Sequence, residues 1–305
     1  MTCYKRLKAF QPVSGGQIVF EPPSPTRKLL FKPIEVPCRQ CTGCRIDHAA
    51  QWSLRLAHEL QTQGNHGYFI TLTYDDDHLP GDRSLDHHHV QLFIKYLRRE
   101  FPDLKITYFV CGEYGSQTQR PHYHLIMFGF SLDDLKFYRS GKGVDGQKYK
   151  LYNSETLDRC WKRGHVVIGY ANQQSINYTA RYMLKELDFA EDYAVADAET
   201  GEYFAERKRP YIRMSTNPAP GRKWIEKYHG DCVKGYLTHS RGLKAKIPDY
   251  YIRKLEEINP ELAERIKAER EKAVKELPQY SDSEMARIEK LKIREREFFK
   301  KRKPL

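Results

Sequence analysis

Apolar and polar positions change rhythm several times along the chain. In "RIDHAAQWSLRLAHEL" (45–60), Ile46, Ala50, Leu54 and Ala57 recur at helical spacing and predict a helix. "GYFITLTY" (67–74) is β-branched and aromatic and predicts a strand, with "DDDHLPGDRS" as the loop after it. "LDHHHVQLFIKYLRREF" (85–101) returns to helical spacing, with Ser84 or Asp86 as its cap. "KITYFVCGEYG" (105–115) and "PHYHLIMFGF" (121–130) read as two strands joined by a polar turn, a hairpin. "SLDDLKFYRS" (131–140) is expected to start another helix, "HVVIGY" (165–170) to form a short strand, and "NQQSINYTARYMLKEL" (172–187) to form a helix.

The flanks differ from this middle. Residues 1–37 are rich in Pro and Gly and read as irregular, 191–247 as mixed and loop-rich, and the chain from 248 onward as charged helix. There is no internal repeat. The order of elements predicts an α+β fold, a central antiparallel sheet with flanking helices. The expected divisions are an N-terminal Cys-rich segment and helix (1–60), the sheet domain (61–190), a loop-rich extension (191–247) and a charged helical tail (248–305).

Composition narrows the function classes. A length of 305 residues fits about two domains. Hydrophobic residues at 40% suffice for a core, while charged residues at 30% and a mean hydropathy of −0.74 argue against a membrane protein. No stretch approaches the roughly 20 apolar residues of a membrane span, and the basic start "MTCYKRLKAF" has no apolar stretch behind it, so no signal peptide is expected. A net charge of +12 and a pI near 9.2 favour a polyanionic partner such as nucleic acid. The seven cysteines are expected as reduced thiols of a cytosolic protein rather than disulfides.

The first candidate chemistry is the histidine pair in "RPHYHLIMFGF" (120–130). Residues two apart in a strand share a face, so His122 and His124 point the same way, with Ile126 and Phe128 beyond them. Tyr123, Leu125 and Met127 line the other face, and two apolar faces mark a central strand. Two core histidines with satisfied hydrogen bonds would account for the pair. A metal site accounts for it as well, with Glu113 brought beside His122 by the hairpin as third ligand. Gln119 and Asp75 are weaker candidates. Two imidazoles and a carboxylate suit Mn²⁺ or Mg²⁺ in phosphate chemistry.

The second is "YTARYMLK" (178–185). At 100° per residue, Tyr178, Arg181, Tyr182 and Lys185 form one stripe of a helix and Ile176, Ala180, Met183 and Leu187 the opposite one. Tyrosines covering a helix surface are one reading. The other is a phenol that attacks a phosphodiester. A free phenol has a pKa of about 10, so a cation such as Lys185 would favour phenolate and offset developing phosphorane charge. Two tyrosines one turn apart would allow two successive transesterifications, one holding a DNA end while the other attacks.

"CRQCTGC" places Cys38, Cys41 and Cys44 in a C-x2-C-x2-C run, and Cys3 could complete a four-thiolate structural Zn²⁺ site. A redox-reactive or merely buried cluster is the alternative. "DHHH" (86–89) reads as a helix start, since successive helical residues point in different directions, and "DDD" (75–77) as a solvated turn. The cationic tail "KKRKPL" reads as a solvated face able to add phosphate contacts.

Together these residues resemble the HUH endonucleases of rolling-circle replication. "TLTY" (71–74) is similar to their first motif, "PHYHLIMFG" to their histidine motif and "YTARYMLK" to their tyrosine motif, in the same order. The two-tyrosine form resembles the replication initiation proteins of gokushovirus-type microviruses, and "PCRQCTGCR" (37–45), "GEYGSQTQRPHYH" (112–124) and "YIRMSTNPAPG" (211–221) strengthen the likeness. It spans roughly residues 1–260. The resemblance implies an HUH/RRM-like nuclease fold and a metal-dependent nick in single-stranded viral origin DNA. The nick leaves a 5'-phosphotyrosine and a free 3'-hydroxyl for the host DNA polymerase. A later cut and rejoining releases a circle, all in the cytoplasm of a bacterial host. His122 and His124 would bind the metal and Tyr178 and Tyr182 would be nucleophiles, with Tyr182 first because a Y-x-x-K pattern fits Tyr182 and Lys185. No helicase phosphate loop appears, so a host helicase is the expected partner for strand separation. An HUH transposase or relaxase, and a non-catalytic zinc-stabilised nucleic-acid-binding protein, are the competing readings.

Overall fold

A computed structural model describes residues 3–115, 118–142, 148–185, 194–196, 203–238, 242–276, 278 and 280–301. The first elements in chain order are β1 (Leu7–Pro12), β2 (Phe31–Val36), α1 (Thr42–Thr62), β3 (Tyr68–Tyr74), α2 (His87–Glu100), β4 (Thr107–Tyr114) and β5 (Pro121–Phe128). Next come β6 (Lys136–Lys142), β7 (Lys148–Asn153), α3 (Glu155–Trp161), β8 (Gly164–Tyr170), α4 (Gln173–Lys185), β9 (Ala194–Ala196), β10 (Tyr203–Glu206) and β11 (Tyr211–Met214). The chain ends with α5 (Arg222–Tyr228), β12 (Tyr236–Thr238), β13 (Lys244–Lys246), α6 (Asp249–Ile258), α7 (Pro260–Lys275) and α8 (Asp282–Lys301). Two compact units result, residues 49–269 and residues 1–48 with 270–305. Among the described residues, no helix is long and apolar enough to cross a membrane.

The larger unit is built on a seven-stranded antiparallel sheet in the order β11-β4-β5-β3-β8-β7-β6. The expected α+β class, with its antiparallel sheet and flanking helices, is what the chain adopts. Strand β5 lies between β4 and β3, the central place its two apolar faces demand. Tyr123, Leu125 and Met127 face a core shared with Ile70 and Leu72 of β3, Phe93 and Leu97 of α2, and Trp161 of α3. Ile126 and Phe128 face the other side, against Trp52 and Leu56 of α1 and Ile176 of α4. Asp86 caps α2, its carboxylate accepting from the His88 N–H at 2.8 Å, so "DHHH" is a helix start.

Helix α1 departs from the predicted stripe. Ala50 and Ile46 are exposed, while Ala49, Trp52 and Leu56 face the sheet. Leu54 meets a second core with Trp224, Ile225, Tyr251 and Leu255 of α5 and α6. Burial on two sides makes the apolar pattern of α1 broader than a single stripe. Its polar residues are paired inside: Glu59 accepts from Thr107 Oγ1 (2.9 Å) and the Gly221 N–H (2.8 Å), and Arg55 donates to the Pro220 carbonyl (2.9 Å). Arg55 also lies over the rings of Trp52 (3.9 Å) and Tyr250 (4.0 Å), and burial there pulls its pKa down to about 10. These bonds clasp the "STNPAPG" loop. A Cβ on Gly221 would lie 2.5 Å from the Tyr251 hydroxyl, so only glycine fits.

Three further expectations are corrected. Residues 136–142 form strand β6, not a helix, and pair with β7. Asp134 turns the chain before it, accepting from the Ser154 hydroxyl (2.7 Å) and the Thr156 N–H (2.8 Å) at the start of α3. The amino-terminal segment is not wholly irregular, because β1 and β2 pair antiparallel from Leu7↔Val36 to Pro12↔Phe31. The loop-rich stretch contributes β11, an edge strand of the main sheet beside β4.

Candidate metal centre and tyrosine helix

The β4–β5 hairpin sets the site. Its register pairs Glu113 with His122 and Cys111 with His124, so both histidines and the carboxylate emerge on one face. The turn is closed by the Gly115 N–H to the Arg120 carbonyl (3.0 Å), with Gln119 in the left-handed region at φ 53°. His122 Nε2 lies 2.8 Å and His124 Nε2 3.2 Å from the same oxygen, Glu113 Oε1. Glu113 is 4% and His124 7% exposed, while His122 is half-buried.

The outer ring nitrogens decide what the inner ones offer. His122 Nδ1 lies 3.1 Å from the Arg120 carbonyl, which only accepts, so Nδ1 carries the proton and Nε2 presents a lone pair. His124 Nδ1 bonds Thr71 Oγ1 at 3.0 Å, and the Phe69 ring stacks on the His124 imidazole with centroids 5.5 Å apart. A lone pair facing a carboxylate oxygen is repulsive unless a proton or a cation lies between them. The ligand atoms of Glu113, His122 and His124 all lie within 4.8 Å of one another. This donor set of two imidazoles and one carboxylate fits a divalent cation, with hydrogen-bond partners that orient the rings.

Of the weaker candidates, Gln119 is exposed in the hairpin turn. Asp75 accepts from His78 through both its backbone N–H (2.9 Å) and Nδ1 (2.7 Å), and that side-chain bond lowers its pKa. Neither belongs to the Glu113, His122 and His124 group.

Helix α4 brings the phenol. Asn172 caps its start, accepting from the Gln174 and Ser175 N–H groups, both at 2.9 Å. Ile176, Thr179 and Ala180 are buried toward the sheet, and Asn177 is held by Ser53 and Gln173. Tyr178 is left at the margin of this buried stripe, 48% exposed, its ring edge-on to His124 with centroids 5.7 Å apart. Tyr182 and Lys185 lie in the same helix, Tyr182 one turn after Tyr178, but the side chains of Arg181, Tyr182, Met183 and Lys185 fall outside the described residues, as does Leu187 altogether. Sequence reasoning assigned no role to Thr71 or Phe69. The signal was present in "TLTY", since Thr71 pairs with His124 and Thr73 with His122 once β3 is placed beside β5.

The four N-terminal cysteines gather in the smaller unit. Cys3 Sγ lies 3.7 Å from Cys38 Sγ and 3.9 Å from Cys41 Sγ, and all four sulfurs are within 4.8 Å of one another. Burial pushes the Cys38 thiol up, but the N–H groups of Cys41 and Gln40 outweigh it and bring it to about 7.

Comparison with known proteins agrees with this geometry. Residues 67–187, which contain both the histidine hairpin and α4, match the family of replication-associated proteins of the ORF2 type. The chain is 36% identical to replication-associated protein ORF2 of Spiroplasma virus 4, across 79% of this chain and 74% of the relative. It is 33% identical to replication-associated protein VP4 of Bdellovibrio phage phiMH2K, across 82% and 76%. Replication-associated protein ORF4 of Chlamydia phage 1 is 35% identical across 50% of this chain and 38% of its own length. No solved structure matches.

Proposed function

Because the chain belongs to the family of phage replication-associated proteins, we propose that it initiates rolling-circle replication by nicking single-stranded viral origin DNA with a tyrosine. The observation that carries the reading is the placement of Tyr178 beside His124, whose Nε2 converges with that of His122 on Glu113. Glu113, His122 and His124 would hold Mn²⁺ or Mg²⁺. Such an ion supplies Lewis-acid polarisation of the scissile phosphate.

The chain's own groups do the rest. The Tyr178 hydroxyl attacks phosphorus, its proton leaves to solvent or a nearby base, and the phosphorus–O3' bond breaks with the 3' oxygen taking up a proton. One phosphodiester becomes a phosphotyrosine ester and a free 3'-hydroxyl, so bond energy is conserved for rejoining. The 3'-hydroxyl serves the host DNA polymerase while a host helicase separates strands in the bacterial cytoplasm. Tyr182, one helical turn on, is suited to the second transesterification, with Lys185 offsetting phosphorane charge. The Y-x-x-K pattern favours Tyr182 for the first nick; the contact of Tyr178 with His124 supports the reverse order.

The test is incubation with single-stranded origin oligonucleotides and Mn²⁺, followed by a denaturing gel and mapping of the nucleotide-bearing peptide. A covalent adduct on residues 178–182 supports the reading. DNA binding without adduct under every divalent metal overturns it.

A further inference from the structure

The smaller unit lacks what normally holds a fold together. Among the described residues, none of the apolar clusters includes a residue of 3–48 or 270–301, and the buried apolar residues of this unit are Cys3, Ala9 and Cys41. Leu29, Leu30, Val13 and Phe20 are exposed. A segment this poor in core requires a covalent or metal staple.

The hairpin of β1 and β2 places such a staple at its open end. Cys3 precedes β1, Cys38 and Cys41 follow β2, and Cys44 lies in the first turn of α1. The sulfur separations of 3.7 and 3.9 Å are far from the roughly 2.05 Å of a disulfide. A tetrahedron of sulfurs at about 2.3 Å from a central zinc has edges of about 3.8 Å. Backbone donors also aim at sulfur: Cys38 N–H at Cys3 Sγ, Cys41 N–H at Cys38 Sγ and Tyr4 N–H at Cys41 Sγ, each 3.3 Å. A thiol is a weak acceptor, and a metal-bound thiolate a good one. Lys5, Arg39 and Arg45 stand within two residues of a cysteine and counter the net negative charge of four thiolates around a divalent ion.

The same turn receives the carboxy-terminal helix. The Thr42 N–H, at the start of α1, donates to Glu289 Oε1 of α8 at 3.2 Å, and Lys5 Nζ lies 3.5 Å from Glu289 Oε2. Glu289 is 7% exposed, so its carboxylate depends on these partners.

We propose that Cys3, Cys38, Cys41 and Cys44 bind one structural zinc ion, and that this ion, in place of an apolar core, joins the β1–β2 hairpin to the start of α1 and so presents the Thr42 N–H to Glu289 of α8. The site is separate from the Glu113, His122 and His124 group and is independent of the catalytic reading.

The test uses the full chain, purified with thiols kept reduced, passed over a weak chelator and analysed for metal by mass spectrometry. One zinc per chain is expected, kept in a Glu113→Ala, His122→Ala, His124→Ala variant and lost in a Cys41→Ser, Cys44→Ser variant. As that variant can fail to fold, zinc is also released from the unaltered chain with a mercurial reagent and backbone hydrogen exchange is followed. Exchange across α8 is expected to rise while exchange across β3 and β5 stays unchanged. Absence of zinc with four free thiols, iron with acid-labile sulfide in its place, zinc retained by the cysteine variant, or unchanged exchange in α8 after release would each overturn the proposal.

Discussion

The Tyr178 ring meets the His124 imidazole edge-on, with 5.7 Å between centroids and 78° between planes. Phe69 stacks on the same imidazole and also meets Tyr178 edge-on at 6.1 Å, so the phenol is located by two aromatic neighbours while remaining half-exposed to a substrate. A tyrosine that served only to cover a helix surface would need neither contact. Tyr178→Phe keeps both ring contacts and removes only the hydroxyl. Adduct formation at the first nick is expected to fall by about 10³-fold or more, with the circular dichroism spectrum unchanged. Nicking at the unaltered rate in Tyr178→Phe, lost instead in Tyr182→Phe, would give the first attack to Tyr182.

Thr71 acts on the metal through His124, its hydroxyl 3.0 Å from Nδ1. Thr71→Val keeps the shape and removes the bond. Mn²⁺ affinity, measured by titration calorimetry, is expected to weaken about 10-fold, and adduct formation to recover at saturating Mn²⁺. An affinity equal to that of the unaltered protein would remove Thr71 from the site.

Acid should weaken the sheet core before it touches the surface. His89 bonds the Tyr74 hydroxyl at 2.8 Å, and burial lowers its pKa despite the nearby Asp86 carboxylate. His87, beside Tyr211, is lowered for the same first reason. A folded-state pKa below the ordinary value of about 6.5 means that the unfolded chain binds the proton first. The stability these groups contribute is therefore present above that pH and is lost as pH falls through it toward the folded-state value. Melting temperatures taken from about pH 7.5 down to about pH 5.5 should decline, and less steeply in His89→Gln. An identical slope in the variant would assign the acid sensitivity elsewhere.

Gly164 opens β8 at φ +131°, and a Cβ there would lie 2.3 Å from the Asp75 amide nitrogen and 2.5 Å from the Thr73 carbonyl oxygen. Both obstacles are backbone of the strand beside it and cannot swing away. Gly164→Ala is expected to destabilise by about 2 kcal/mol or more, read as a lowered midpoint in thermal or urea unfolding. Unfolding at the unaltered midpoint would mean that β8 starts differently.

Local periodicity carried much of this protein. The two-residue alternation of "PHYHLIMFGF" put His122 and His124 on one face and made β5 central, and the polar turn before it was enough to set Glu113 opposite His122. The spacing of "YTARYMLK" separated Ile176 and Ala180 from Tyr178. These are properties of a single strand, hairpin or helix, where each residue's direction follows from its neighbours. Tertiary structure decided whatever depended on a distant partner. "KFYRSGK" became a strand because β7 was there to pair with it. "YIRM" became the sheet edge because β4 had a free side. α1 was buried on two sides because α5 and α6 close over it. Thr71 reached His124, 53 positions further along the chain, only through the pairing of β3 with β5. Side-chain direction is encoded within a few residues, whereas pairing is chosen among all the surfaces that the rest of the chain makes available.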